Sequence, residues 1–184
     1  MDIAIDKRNN YLYAATFQSG LLELHPDNTS VVYKNTPYIQ AQLGDASYRI
    51  AGLAMDDENN LWMSNYGAQD QMVVKMANGG WQKFSFPYTV SEKTASQIVI
   101  DNANQKWMVA PRGVGIFVLN DNNTIENKND DKIKFLHTGL GYGNLPNNEI
   151  NCIAKDLHFQ LFLCFVDVIG IFNCPENVKD ASGG

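Results

Sequence analysis

Residues 98–108 read IVIDNANQKWM: an apolar strand that ends in an aspartate, a polar turn, and a second strand with a bulky residue in its second place. The same pattern occurs at residues 3–13 (IAIDKRNNYLY), 53–63 (LAMDDENNLWM) and 152–163 (CIAKDLHFQLFL). The four aspartates, Asp6, Asp56, Asp101 and Asp156, are 50, 45 and 55 residues apart. A repeat of this length is typical of a four-stranded propeller blade rather than of a helical repeat. The sequence therefore predicts an all-β chain of β-propeller blades.

Two further strands follow the pattern in the first three copies, and only one follows it in the fourth. We expect antiparallel blades over residues 2–36, 48–86, 96–136 and 150–174, the last of them incomplete, within a repeat region of residues 1–178 that precedes a tail of residues 179–184. A closed ring usually needs a strand from the other terminus to complete its last blade, and Met1 leaves none to spare. We therefore expect an open arc or partial propeller. A small four-bladed ring and a self-associated pair of arcs stay open as alternatives.

The aspartate at the end of each first strand is interpreted as a structural turn residue. Its carboxylate can accept backbone N–H groups two or three residues on, and the left-handed position that such a turn needs suits Asn9, Asn59 and Asn104. In the fourth copy this place holds Phe159. Because a bulky residue is strained at positive φ, we expect the fourth hairpin to be looser, longer or differently turned.

The bulky residue of each second strand is interpreted as core. Trp62 and Trp107 occupy equivalent places, and Leu12 and Phe162 complete the set. A residue that recurs once per blade is most simply the packing between neighbouring sheets. Carbohydrate stacking stays open for either Trp only if its ring faces a channel or cleft.

Three cysteines, Cys152, Cys164 and Cys174, all fall in the last repeat. An odd count without repeated spacing is not a disulfide framework, so we expect small apolar strand residues rather than redox or metal groups. The run 161–171 is almost wholly apolar. In a repeat that lacks a fourth strand, this run predicts an exposed sticky edge or a partner that covers it.

Composition excludes some classes of function. A net charge of −6 with 14 scattered Lys and Arg residues argues against a nucleic-acid surface. No stretch is apolar enough to span a bilayer, and the chain opens inside a strand without a signal leader, so we expect a soluble fragment or trimmed chain from which a leader could have been lost. The acidic string 56–60 lacks the alternating oxygen donors of a calcium loop, so neither metal nor cofactor is expected.

Catalysis is not expected either. His25, His137 and His158 sit at unrelated blade positions, and no serine lies in a nucleophile elbow. A hidden glycan lyase or hydrolase would need paired carboxylates in a central channel, about 5 to 10 Å apart.

Strand order sorts the loops into two ends of the blades. The turns between second and third strands, and the links between blades, share one end and are the more varied set. Long loops on a rigid scaffold are where recognition usually sits, and Tyr and Arg anchor interfaces. We therefore predict a binding surface around Tyr66 and Arg112, with further candidates on the links between blades: Tyr38, Tyr48, Tyr88 and Tyr142. The competing interpretation is that these are ordinary loop residues.

The fourth repeat and its lead-in resemble a known family. Residues 139–140 (GL) and 144–156 (NLPNNEINCIAKD) are similar to the repeat of two-component regulator propellers, Leu-Pro-x-Asn followed by an apolar strand that ends in Asp. Residues 113–120 (GVGIFVLN) and 170–175 (GIFNCP) are similar to the PorZ-like propeller proteins of Bacteroidetes. The fourth repeat departs from the family pattern, because residues 157–165 replace its Gly, Trp and Thr positions.

The resemblance implies a non-catalytic module outside the cytoplasm, in the periplasm or at the cell surface. It implies either a PorZ-like surface component of type IX secretion or, as the alternative, the ligand-sensing ectodomain of a hybrid histidine kinase. The expected partner is a protein or a glycan of the lipopolysaccharide type, and self-association through open blade edges is a further possibility. The family supplies no shared catalytic residues.

Overall fold

A computed structural model describes residues 2–88 and 93–179. Its described residues form fifteen strands in four antiparallel sheets, together with one short 3₁₀ helix, Pro175–Lys179. The predicted all-β fold of four blades, the last incomplete, is confirmed. Of the tail predicted at 179–184, residue 179 ends the 3₁₀ helix, and residues 180–184 lie outside the described residues, as does Met1.

Residues 1–96 form one compact unit and residues 97–184 a second one. Unit 1 holds two blades. Blade 1 consists of β1 (Ile3–Asp6), β2 (Tyr11–Ala15), β3 (Leu21–Leu24) and β4 (Ser30–Tyr33). Blade 2 consists of β5 (Ile50–Met55), β6 (Leu61–Asn65), β7 (Met72–Lys75) and β8 (Trp81–Phe84).

Unit 2 also holds two blades. Blade 3 consists of β9 (Ile98–Ile100), β10 (Lys106–Ala110), β11 (Gly115–Asn120) and β12 (Lys132–Leu136). Blade 4 has three strands among the described residues, β13 (Cys152–Lys155), β14 (Leu161–Cys164) and β15 (Ile169–Phe172). Each sheet is a meander in which strands adjacent in the chain pair with one another.

Within each unit the two blades pack face to face over an apolar core. In unit 1, Tyr13 and Leu21 of blade 1 meet Met63 and Val73 of blade 2. In unit 2 the core joins two sets of buried residues, Trp107, Val109, Ile116 and Val118 from blade 3 and Ile153, Leu161 and Leu163 from blade 4. Because side chains alternate across a strand, each blade has a second face directed away from this core.

The aspartate turns share one arrangement in blades 2 and 3. Asp56 Oδ1 accepts the backbone N–H groups of Glu58 (3.0 Å) and Asn60 (2.7 Å), and its Oδ2 accepts the indole N–H of Trp62 at 2.9 Å. Asp101 accepts the indole N–H of Trp107 at the same distance. One carboxylate therefore fixes both the turn and the bulky side chain of the next strand.

Blade 1 departs from this arrangement by a one-residue shift in register. Its first hairpin pairs Asp6 with Tyr11, whereas blade 2 pairs Met55 with Leu61. A shift of one residue moves each side chain to the opposite face. The predicted equivalence of Leu12 with Trp62 is therefore wrong, since Leu12 points away from the core of unit 1 and Tyr13 points into it.

The chemistry of Asp6 accounts for the difference. The side chain of Leu12 has no N–H group, and the guanidinium of Arg8 donates to Asp6 instead, at 3.0 Å and 2.6 Å. Hydrogen bonds from this side chain hold the pKa of Asp6 below its usual value. The left-handed residue moves with the register, to Asn10 (φ 57°) rather than the predicted Asn9.

The fourth hairpin corrects another prediction. Phe159 adopts φ 67°, close to the 63° of Asn59 and the 59° of Asn104, so the turn is the same as in blades 2 and 3 rather than looser or longer. Its ring is 51% exposed. The chain accepts the strain of a bulky left-handed residue because the backbone N–H groups of His158 and Gln160 still bind Asp156, at 2.9 Å and 2.8 Å.

The interpretation of the cysteines as small apolar residues is wrong for two of them. Cys152 and Cys164 lie directly opposite each other on β13 and β14 and form a disulfide. Cys174 is an exposed free thiol. The pairing was not visible in the sequence, because it depends on the register of a hairpin whose turn sequence is atypical.

Candidate functional site

Three loops of unit 1 meet at one end of its blades: the β2–β3 turn, the link from β4 to β5, and the start of the β6–β7 loop. Backbone hydrogen bonds join them. Tyr48 accepts the N–H of Gly20 (2.9 Å) and donates to Gln18 (3.1 Å), and Tyr66 donates to the carbonyl of Arg49 (2.8 Å). The loops therefore present their side chains from a fixed framework rather than as independent segments.

Gly20 makes the first of these turns possible. It has φ 78°, and an added Cβ atom would lie 2.1 Å from the carbonyl oxygen of Tyr33. Any larger residue would push β4 away from β3 at the base of the turn. The position of Phe17 at the tip thus depends on a glycine three residues later.

The centre of this end is an arginine beside two aromatic rings. The guanidinium carbon of Arg49 lies 5.1 Å from the ring centre of Phe17 and 5.9 Å from that of Tyr66. The two rings are 5.4 Å apart. Phe17 is 45% exposed, whereas Tyr66 is 7% exposed. Tyr66 therefore supports the arginine from below, and Phe17 is available to a bound molecule. We call Phe17, Arg49 and Tyr66 the arginine cluster.

An acidic residue holds the other side of the guanidinium. Asp45 accepts a hydrogen bond from Arg49 Nη2 at 2.7 Å and another from the Ser47 hydroxyl at 3.0 Å. The Ser47 hydroxyl holds the pKa of Asp45 below its usual value, and the charge of Arg49 acts in the same direction. This ion pair leaves Arg49 Nε buried without a hydrogen-bond acceptor.

The arginine cluster borders an open depression of about 470 Å³, lined by Thr16, Phe17, Gln18, Ser19 and Arg49. Its lining combines an exposed ring, hydroxyls, an amide and a guanidinium. A planar cation with donors to spare suits carboxylate or phosphate groups, and an adjacent ring suits the apolar face of a sugar or side chain.

The other predicted residues of unit 1 lie apart from this depression or support it. Tyr38 stacks on Trp81, with ring centres 5.8 Å apart, at the margin of the unit 1 core. Tyr48 acts through its backbone, as described above. The Tyr88 hydroxyl donates to the carbonyl of Thr94, and burial raises the pKa of Tyr88. A binding role for these three tyrosines stays a prediction.

Two predicted residues belong to unit 2. Arg112 is exposed in the β10–β11 loop and has φ 65°. Tyr142 is 54% exposed and stacks on His137, with ring centres 4.5 Å apart. Their role in binding also stays a prediction.

Within residues 2–88 and 93–179, no group of three or more His, Cys, Asp or Glu side chains is placed to hold a metal ion. The three histidines have different surroundings: His25 pairs with Glu23 at 2.8 Å, His137 stacks on Tyr142 and contacts Phe135, and the side chain of His158 is 88% exposed.

Sequence reasoning missed Phe17 and Arg49. It selected this end of the blades for its varied loops, but no motif marks a single Phe in a turn or a single Arg in a link. The signal that could have found them is the residue type alone, because an apolar ring at a turn tip and an arginine just before a strand are each unusual enough to inspect.

No protein-family model matches this chain, and no curated protein matches it in sequence. Solved structures do match. PorZ of Porphyromonas gingivalis, an essential surface component of its type IX secretion system, superposes with a TM-score of 0.80 at 20% identity, over 97% of this chain and 25% of PorZ. The extracellular domain of a hybrid two-component system from B. thetaiotaomicron gives 0.68 at 16% identity, over 98% of this chain and 22% of that one.

A third match, virginiamycin B lyase from Staphylococcus aureus, gives a TM-score of 0.63 at 12% identity, over 95% of this chain and 55% of the lyase. The matches confirm the predicted likeness to PorZ-like and two-component regulator propellers at the level of the fold. This chain spans about a quarter of the first two proteins.

Proposed function

We propose that this chain is a non-enzymatic recognition module of a β-propeller that works outside the cytoplasm, resembling the PorZ-like surface component of type IX secretion. Its ligand is a glycan of the lipopolysaccharide type or a protein partner. The arginine cluster carries this proposal, because it places a guanidinium and an exposed ring at one depression on a fixed set of loops. Arginine and aromatic side chains are the usual anchors of interfaces.

An oxidising compartment is supported by the disulfide. Cys152 and Cys164 are joined across β13 and β14, and structural disulfides persist outside the cytoplasm rather than within it. The fold likeness agrees, since PorZ is a surface component and the B. thetaiotaomicron domain is extracellular. Among the described residues, no helix is long and apolar enough to cross a bilayer.

A sensor ectodomain of a hybrid two-component system is the second candidate, and the match to such a domain over 98% of this chain supports it. The parent gene separates the two. A continuation into a membrane helix and a kinase supports the sensor, whereas an ending in a small β domain supports the secretion component.

The proposed absence of catalysis must be set against the lyase likeness. A fold at 12% identity carries no active site by itself, and one propeller architecture hosts many functions. The scattered histidines described above support binding rather than catalysis.

Surface plasmon resonance tests the proposed function directly. The purified chain flows over immobilised bacterial lipopolysaccharide, with a dextran surface as reference. We expect Arg49→Ala and Phe17→Ala each to weaken binding about tenfold or more, as an interface anchor does. A double Tyr66→Ala and Arg112→Ala variant tests the wider surface predicted from sequence.

The matched control is Lys7→Ala. Lys7 is also a cationic side chain, but it is exposed in the β1–β2 turn at the opposite end of β2. Equal affinities for the Arg49 and Lys7 variants would remove the arginine cluster from the proposal. A wild-type chain that does not retain lipopolysaccharide would argue against a glycan ligand.

A further inference from the structure

The two cores of this protein follow one rule about which faces meet. In the first blade of each unit, we call the face that packs against the second blade the leading face, and the opposite face the trailing face. In the second blade, the face that packs against the first blade is the trailing face, and the opposite face is the leading face. In unit 1 the leading face of blade 1, with Tyr13 and Leu21, meets the trailing face of blade 2, with Met63 and Val73. In unit 2 the leading face of blade 3, with Trp107, meets the trailing face of blade 4.

Blade 4 has a leading face that is wholly apolar. The strand registers place six residues there: Cys152, Ala154, Phe162, Cys164, Ile169 and Ile171. Ile169 is 63% exposed and Ile171 is 52% exposed. Phe162 stands six residues after the turn aspartate, as Trp107 does in blade 3, where the ring is fully buried by blade 4. The residue with which blade 3 packs against its neighbour therefore has an equivalent in blade 4, Phe162, on the face opposite the unit 2 core.

Blade 1 has a trailing face of the same kind. The registers of its sheet place seven apolar residues there: Ile3, Ile5, Leu12, Ala14, Leu22, Leu24 and Val32. The isoleucines of β1 are 64% and 54% exposed, and Val32 is 49% exposed. The one-residue shift of the first hairpin is what turns Leu12 to this side.

These two faces match the halves of an interface that the chain already forms twice. Contiguous exposed apolar patches on a protein surface mark interaction sites. We propose that the leading face of blade 4 packs against the trailing face of blade 1 in a second copy of this chain. The contact is heterologous, so it joins copies head to tail, into a closed pair or a longer assembly.

The first turn of blade 4 also carries apolar side chains at its tip. Leu157 is 93% exposed beside Phe159, whereas the equivalent turns of blades 2 and 3 carry Asp57 with Asn59 and Asn102 with Asn104. A strained bulky residue retained at an exposed turn points to a contact that favours it.

Light scattering coupled to size-exclusion chromatography tests the proposal with the oxidised chain. We expect the wild type to elute with at least twice the 20.6 kDa of one copy, with a concentration-dependent mass. Ile5→Lys blocks the trailing face of blade 1, and Ile171→Lys blocks the leading face of blade 4. Each variant alone has only one working half, so each should elute at 20.6 kDa.

The decisive sample is the mixture of the two variants. The free leading face of Ile5→Lys fits the free trailing face of Ile171→Lys, so the mixture should form a one-to-one dimer and nothing larger. Both substitutions add the same charge, so no new ion pair can explain the dimer. Leu140→Lys is the matched control, since Leu140 is 88% exposed in a loop outside both faces; it should behave as the wild type.

Three results would overturn the proposal. A wild type that stays at 20.6 kDa at every concentration shows that the faces do not join two copies. Self-association by Ile171→Lys or by Ile5→Lys shows that like faces pair instead. A mixture that stays monomeric, with both variants folded by circular dichroism, excludes the head-to-tail contact. Ile3→Lys and Ile169→Lys replace any variant that fails to fold.

Discussion

The turns of blades 3 and 4 have the same backbone and opposite surroundings. In blade 3, the carbonyl of Asp101 accepts the N–H of Asn104, and the N–H of Asp101 donates to the carbonyl of Gln105 at 3.1 Å. In blade 4, the N–H of Asp156 donates to the carbonyl of Gln160 at 3.1 Å. Asp101 also holds the indole of a fully buried Trp107, whereas blade 4 has Phe162 on an open face and Phe159 at positive φ. The comparison teaches that backbone hydrogen bonds to the aspartate set the turn, whereas packing of a neighbouring blade determines which side chains the strand can carry.

The largest expected effect separates the two blades by their bulky residues. Trp107→Ala removes a ring from the unit 2 core and a donor from Asp101, and should lower the free energy of unfolding by about 4 kcal/mol. Phe162→Ala, on the open face, should lower it by about 1 kcal/mol. Urea denaturation at a concentration where the chain is monomeric measures both. Similar losses for the two variants would mean that blade 4 is covered as completely as blade 3.

The disulfide offers the next contrast, since it is found in blade 4. Replacing Cys152 and Cys164 by Ala should cost about 2 to 3 kcal/mol, because the bond closes a loop of 12 residues in the unfolded chain. Denaturation of the variant and of the reduced wild type should agree. Thiol titration provides the check, with one reactive thiol, Cys174, in the oxidised folded protein and three after reduction. Three thiols without reductant would contradict the pairing.

The smallest effect concerns the turn itself and has the opposite sign. Phe159→Asn should raise the free energy of unfolding by about 1 kcal/mol, because Asn tolerates φ 67° and the exposed ring loses little packing. The reciprocal Asn104→Phe in blade 3 should lower it by a similar amount. If Phe159→Asn destabilises the monomer, the ring is held by contacts within blade 4 and the strain argument fails.

Much of the fold followed from the sequence, because the aspartate recurs with the length of a blade and its chemistry fixes a turn. The register of blade 1 did not follow. Asp6 and Tyr11 have the same spacing as Asp56 and Leu61, yet they pair differently, since Arg8 replaces the indole as the partner of the carboxylate. Spacing alone cannot show which donor a carboxylate takes.

The site was predictable as a loop end and not as a set of residues. The loops that carry Phe17, Arg49 and Tyr66 are brought together by backbone bonds between segments about 30 and about 17 residues apart in sequence, and no local pattern encodes those bonds. The arc, ring and paired-arc alternatives stay predictions, and the light-scattering experiment separates the paired arc from a monomer.

The disulfide has one more consequence, for the alignment of strands. The first hairpin of the chain shows that this kind of turn tolerates sliding by one residue, which exchanges the two sides of a sheet. In blade 4, sliding by one residue would draw the α-carbons of Cys152 and Cys164, now 5.0 Å apart, out of alignment by about 3.4 Å. The covalent bond therefore prevents an inside-out blade, in the one sheet whose fourth strand is missing from the described residues.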